Sequence, residues 1–145
     1  MHNLIIVLKN KDVDNDDAVG RLEDDLSSLQ HIDPCADYIC GREDDADFET
    51  NLSICREVME PLGFEFDGPT IIFKKDKILE RYTTNIEQAV ANLKLDRTTH
   101  ALYKVSQAIN AGMPIYDGYI SSALETALTY VNYDMVIDYF IDYHS

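Results

Sequence analysis

Leu4-Ile5-Ile6-Val7-Leu8 is an unbroken apolar run rich in β-branched residues, and it predicts a buried strand. From residue 19 the period changes. Val19, Leu22, Leu26 and Leu29 are spaced three, four and three, which puts them on one face of a helix ending near Gln30. Asp33-Pro34 breaks the chain, and residues 36–40 form a candidate second strand closed by Gly41. The next helix, capped by Asp45 or Asp47, carries Phe48, Leu52, Cys55, Val58, Met59 and Leu62 on one stripe, with Gly63 just past its end. Phe64-Glu65-Phe66 and Thr70-Ile71-Ile72-Phe73, separated by Asp67-Gly68-Pro69, have the form of a hairpin.

Beyond the hairpin the helical period dominates. Ile78, Leu79, Tyr82, Ile86, Val90 and Leu93 mark one helix. Asp96 caps the next, with Ala101, Leu102, Val105 and Ile109 inward, and residues 110–114 (Asn-Ala-Gly-Met-Pro) end it. Ile120, Ala123, Leu124, Ala127, Leu128 and Val131 keep the amphipathic spacing, and a last helix is expected over 134–143. The expectation is an α+β domain: a small mixed or antiparallel sheet from the N-terminal half, packed against helices, with a mostly helical C-terminal half. A length of 145 residues, 46% of them hydrophobic, suits one globular domain over 1–145 with a core of its own.

Charge narrows the function classes. The net charge is −15, and its distribution is uneven. Residues 1–50 carry net −10, residues 51–100 net −1, and residues 101–145 net −4. The middle holds a basic cluster, Lys74, Lys75, Lys77 and Arg81. An anionic membrane or a nucleic acid would be repelled, whereas a basic protein would be attracted. The longest apolar run is too short to span a bilayer, the first residues show no secretory signal, and three cysteines form no even framework. These features suit a reducing, cytoplasmic setting.

Candidate chemistry is weighed against simpler roles. Counting from Asp12, acids fall at positions 1, 3, 5 and 12 of a calcium-loop register, through Asp14, Asp16 and Glu23. Asp17 stands where that loop needs glycine, and the preceding segment is strand-like, so the aspartates are better explained as the start of a helix. His31, Cys35, Cys40 and Cys55 have spacings that match no common zinc pattern. Cys55 sits on an apolar stripe and is expected to be a buried thiol. Glu43, Asp44, Asp45, Asp47 and Glu49 could hold magnesium, but clustered acids before a helix more often cap it. His100 stands near a helix start without a partner for catalysis, and no phosphate loop or nucleophile elbow occurs.

On a helix, Asp134, Asp138 and Asp142 would form one charged line beside Tyr139 and Tyr143. Like charges four apart destabilise a helix, so such a line is either an ordinary solvated face beside partly buried tyrosines or a recognition face. The expected function is therefore a non-catalytic acidic binding protein, without cofactor, that neutralises a basic nucleic-acid-binding protein such as a nuclease. It would contact neither nucleic acid nor membrane directly. Small inhibitors of nucleases, anti-CRISPR and anti-restriction proteins and immunity proteins share this size and charge, though no motif aligns with a family. The expected partner-binding residues are Glu23, Asp24, Asp25, Asp44, Asp45, Asp134, Asp138, Tyr139, Asp142 and Tyr143. The alternative is a carboxylate-dependent metal-binding regulator or enzyme using the acids at 12–25 or 43–49.

Overall fold

The structure, a computed structural model, describes residues 2–9, 25–42, 47–130 and 134–145. Strand β1 (His2–Leu8) is followed by helix α1 (Leu26–Ile32), strand β2 (Tyr38–Arg42) and helix α2 (Phe48–Met59), which tightens into a 3₁₀ turn at Glu60–Leu62. Strands β3 (Glu65–Asp67) and β4 (Thr70–Ile72) form the expected hairpin. Helices α3 (Lys75–Leu95) and α4 (Thr99–Ile109) lead to strands β5 (Ile115–Tyr116) and β6 (Ile120–Ser121), helix α5 (Ala123–Thr129) and strand β7 (Asp134–His144). The class is α+β.

One mixed sheet organises these elements in the order β3-β4-β7-β1-β5-β6, with β2 also paired to β7. β1 runs antiparallel to β7 and parallel to β5. The other edge of β7 is shared, β4 taking Asp134, Met135 and Val136, and β2 taking the stretch from Ile141 to His144. β1 is apolar throughout because both of its faces are covered. Ile6 and Leu8 join Leu52, Cys55, Met59, Ile78, Tyr82 and Phe140 in one core, while Ile5 and Val7 join Leu29, Ile39, Tyr139 and Ile141 in the other.

The expected helix over 134–143 is strand β7, and the sheet draws on both halves of the chain. A spacing of four keeps residues on one side of a strand as well as of a helix, so the aspartates could not discriminate. β-Branched and aromatic content could: Val136, Ile137, Tyr139, Phe140, Ile141 and Tyr143 favour a strand. In addition, the register with β1 slips so that Val7 pairs with Tyr139 and Leu8 with Ile137, leaving Asp138 as a bulge. The bulge exchanges the faces, since Ile137 and Phe140 share one core despite odd spacing. Asp134 and Asp142 therefore lie on opposite faces of the sheet, and the charged line does not form.

Smaller departures have local causes. Thr98, not Asp96, caps α4, its hydroxyl accepting from the Ala101 N–H at 3.0 Å. Gly41 lies inside β2, beside a register shift, and does not end it. β5 and β6 occupy the segment before α5, whose cap is Ser122 through the Glu125 N–H. Val58, expected inward, is 40% exposed, and Leu102 and Ile109 are also exposed. α3 and α4 form a projecting arm: α3, about 31 Å long by helical rise, buries only Ile78 and Tyr82 near its start, and α4 buries no residue fully.

The double-sided burial of β7 makes a direct prediction. Phe140→Ala should lower unfolding free energy by about 3–5 kcal/mol, whereas Leu95→Ala, 87% exposed at the tip of the arm, should change it by no more than about 0.5 kcal/mol. Chemical denaturation of both variants checks the contrast, and comparable losses would contradict this placement of the strand.

Candidate binding groove

The expected partner-binding residues that fall among the described residues are dispersed by the fold. Glu23, Asp24, Asp44 and Asp45 lie outside the described residues, as does the whole calcium-like register from Asp12 to Glu23. Asp25 precedes α1 and accepts from the Ser28 hydroxyl at 2.8 Å, while its second oxygen lies 3.5 Å from the Ile120 N–H. It holds α1 against β6. Asp134 is exposed beside the β3–β4 hairpin, opposite Ile72, and Asp138 is half-buried at the bulge. Tyr139 and Tyr143 are buried, so they are not the exposed rings expected of helical interface anchors.

Asp142 and Tyr143 nevertheless meet a different feature. A cavity of about 440 Å³ lies between α2, the ends of β1 and β7, and the 112–114 loop. Its walls include Leu4, Ile54, Val58 and Met113, with Asn3, Asn51 and Asp142 as polar members. A second cavity of about 260 Å³, bordered by Asp33, Tyr103, Ser106, Gln107 and Asn110, shares Gly112, Pro114 and Tyr143 with the first. Sharing these residues, the two cavities form a groove at the ends of the central strands β1 and β7. Among the described lining residues, the charged groups are the carboxylates Asp142 and Asp33.

Backbone geometry shapes this groove. Gly112 has φ +97, and a Cβ there would approach the Ala123 Cβ to 2.9 Å and the Met59 Sδ to 3.1 Å. Only glycine fits both the left-handed conformation and the close approach. The next residue is held as well, because the Met113 N–H donates to the Met59 Sδ at 3.3 Å. The Tyr82 hydroxyl donates to the Ala111 carbonyl, joining the loop to the base of the α3–α4 arm.

Hydrogen bonding differs between the two ends. At the smaller cavity, the Tyr143 hydroxyl donates to Asp33 Oδ2 at 3.0 Å and the Cys35 N–H to Asp33 Oδ1 at 3.1 Å, so both carboxylate oxygens are engaged. Burial, followed by the neighbouring Asp33 charge, raises the Tyr143 phenol well above its ordinary value and keeps it protonated as a donor. At the larger cavity, Asn51 is 8% exposed and its Nδ2 finds no acceptor among the described residues. An unsatisfied buried amide is costly, on the order of 1–3 kcal/mol.

Other candidate chemistry is separated by the fold. Cys55 is buried in the core and Cys35 is exposed, and both thiols are free. No group of three His, Cys, Asp or Glu side chains among the described residues is placed to hold a metal ion. His100 is exposed at the start of α4. The groove itself was not legible as a site: Asn3, Asn51 and Gly112 are far apart in sequence, while Asp142 and Tyr143, expected as partner-binding residues on a helix, line it from the end of strand β7. No protein-family model matches the chain, and no curated protein or solved structure is detectably similar to it.

Two predictions follow from these contacts. Gly112→Ala should destabilise the protein by about 2 kcal/mol or more, combining left-handed strain with displacement of Ala123 or Met59; an unchanged melting temperature would show that the loop has room to relax. Burial pushes the Cys55 thiol up to about 12 despite the nearby Arg56 charge. A thiolate-selective reagent at neutral pH should therefore modify Cys35 rapidly and Cys55 only in denaturant, as peptide mapping by mass spectrometry would resolve.

Proposed function

We propose that the chain is a non-catalytic acidic binding protein that neutralises a basic, nucleic-acid-binding protein, such as a nuclease or host-defence effector. It would act in the cytoplasm as an inhibitor of the anti-CRISPR, anti-restriction or immunity type, in part by presenting charge as a nucleic acid does. The observation that carries this reading is the outer face of α2 on a chain of net charge −15. There Ile54 and Val58 are 43% and 40% exposed, and Glu49, Glu57 and Glu60 are exposed on the same helix and the turn that follows it. An uncovered apolar pair with acids around it suits a protein interface, the apolar area contributing affinity and the rim charges orienting the approach.

The charge balance elsewhere supports the same polarity. The basic cluster at the start of α3 is partly neutralised within the fold, Lys74 and Lys77 pairing with Glu65 at 2.9 and 3.1 Å. Those two lysines hold the Glu65 carboxyl below its usual range, and the hydrogen bond from His144 does the same for Asp37. Both carboxylates stay ionised at neutral pH. No helix among the described residues is long and apolar enough to cross a membrane. Free thiols at Cys35 and Cys55 are compatible with a reducing compartment.

The test is kinetic. A basic protein captured from host extract should be purified and its association with this chain measured at low and high salt, with duplex DNA as competitor. The expected outcome is a stable complex without turnover, an association rate that falls roughly tenfold or more as salt rises, and displacement by DNA. Association indifferent to both salt and DNA would reject nucleic-acid mimicry. A rise in melting temperature with a divalent cation would instead favour the metal-binding regulator.

A further inference from the structure

The α3–α4 arm differs in charge from the body it projects from. Over residues 75–109 it carries six bases against four acids, net +2, which leaves net −17 for the rest of a chain of net −15. Its apolar positions are poorly covered: α4 buries no residue fully, and Leu95 and Leu102 are exposed at the tip. There Leu93 and Leu102 line a hollow of about 480 Å³ whose charged members, among the described lining residues, are Lys94 and Arg97. An apolar floor with a cationic rim is complementary to an apolar surface with an acidic rim.

The same chain presents such a surface. On α2, Ile54 and Val58 are exposed beside Glu57 and, in the turn that follows, Glu60. Arg56 is directed instead to the hairpin, where it donates to the Gly68 carbonyl at 3.1 Å and lies over the Phe66 ring. Within one chain the tip is held away from this face, since α3 runs on for roughly 20 Å beyond Tyr82, which fastens the arm to Ala111. The base of the arm stands nearer. Through Ser106 and Gln107, α4 borders the cavity adjoining the one lined by Ile54 and Val58. Two arms laid antiparallel about a two-fold axis therefore bring each tip to the other copy's α2.

We propose that the arm tip docks on a second copy of this chain, Leu95 and Leu102 covering the other copy's Ile54 and Val58 while Lys94 and Arg97 face its Glu57 and Glu60. The contact is made twice, once by each arm. Two chains of net −15 repel one another over most of their surface, so a net-positive arm is the part through which they can associate. The inference goes beyond the reading of the chain as an acidic binder, and a basic partner seated on α2 would compete with the second copy's arm.

The test needs no other protein: sedimentation equilibrium of the full chain over a range of concentrations. The wild type should show a reversible equilibrium between one and two chain masses. Lys94→Glu with Arg97→Glu at the tip, and Glu57→Lys with Glu60→Lys at α2, should each weaken self-association at least about tenfold. Mixed one to one, the two variants should recover it, because the reversed tip meets the reversed face and the unchanged tip meets the unchanged face. That recovery also shows that both variants are folded. Leu102→Asp should weaken the dimer as strongly by removing its apolar part. A single chain mass at every concentration would overturn the proposal, while leaving the acidic-binder reading to its own salt and DNA test. A dimer lost in Leu102→Asp but indifferent to charge reversal on α2 would overturn the docking site in favour of arm-on-arm pairing. A dimer indifferent to all these variants would place the interface elsewhere and sink the proposal altogether.

Discussion

Pairing between β1 and β7 is the contact on which the rest of the structure depends. It joins parts of the chain as remote as Asn3 and Ser145, 142 positions apart and linked by a side-chain hydrogen bond of 2.6 Å. β1 passes the sheet on to β5 and β6, while β7 brings in both β4 and β2 on its far edge. Without β7, the β3–β4 hairpin and β2 have no common partner, and each core loses a wall: Phe140 and Ile137 from one, Tyr139 and Ile141 from the other. Two-sided burial therefore couples the helical layer on one face to α1 on the other. Such long-range pairing forms only after a large loop-closure cost has been met, which favours a cooperative fold over independently stable pieces.

The same contact explains which parts of the fold were legible in the sequence. β1, α2, the hairpin and α3 each have a period or a turn signal that their surroundings reinforce. β7 does not, because a strand buried on both faces loses the alternation that identifies a half-buried one. Its aspartates recur every four residues, a spacing shared by two strand repeats and nearly one helical turn. The bulge at Asp138 then defeats even a correct strand assignment, since it reverses which face each later residue occupies. In α4 the apolar stripe was visible, but what covers a stripe is a tertiary matter. The arm projects, so Leu102 and Ile109 remain exposed although their spacing is that of core positions.

Acidity, too, acquires a different meaning once the residues are placed. Asp25 and Asp33 are used internally, one holding α1 to β6 and the other accepting from Tyr143 and Cys35. Glu65 neutralises lysines at the start of α3, where positive charge would oppose the helix dipole. A carboxylate count thus overstates the charge available for recognition, and a pattern of aspartates along the chain does not by itself define a surface. The outer face of α2 is the more specific candidate because its glutamates accompany exposed Ile54 and Val58. Charge alone attracts many basic proteins, whereas charge joined to shaped apolar area can retain a particular one.

The groove is shaped in advance by the packing around it. Its shared wall, the 112–114 loop, is fastened from both sides of its first residues. Gly112 packs against Met59, Leu62 and Ala123, the Met113 N–H donates to Met59, and Tyr82 anchors the adjoining Ala111 carbonyl. Met59 and Tyr82 are themselves fully buried in the principal core, so the stability of that core is transmitted to the loop. α2 contributes Cys55 and Met59 to this core from one face and Ile54 and Val58 to the cavity from the other. Any ligand entering there would meet walls already held in place, and little of its binding energy would be diverted to ordering them. The interior that fixes the fold thereby also preorganises the groove.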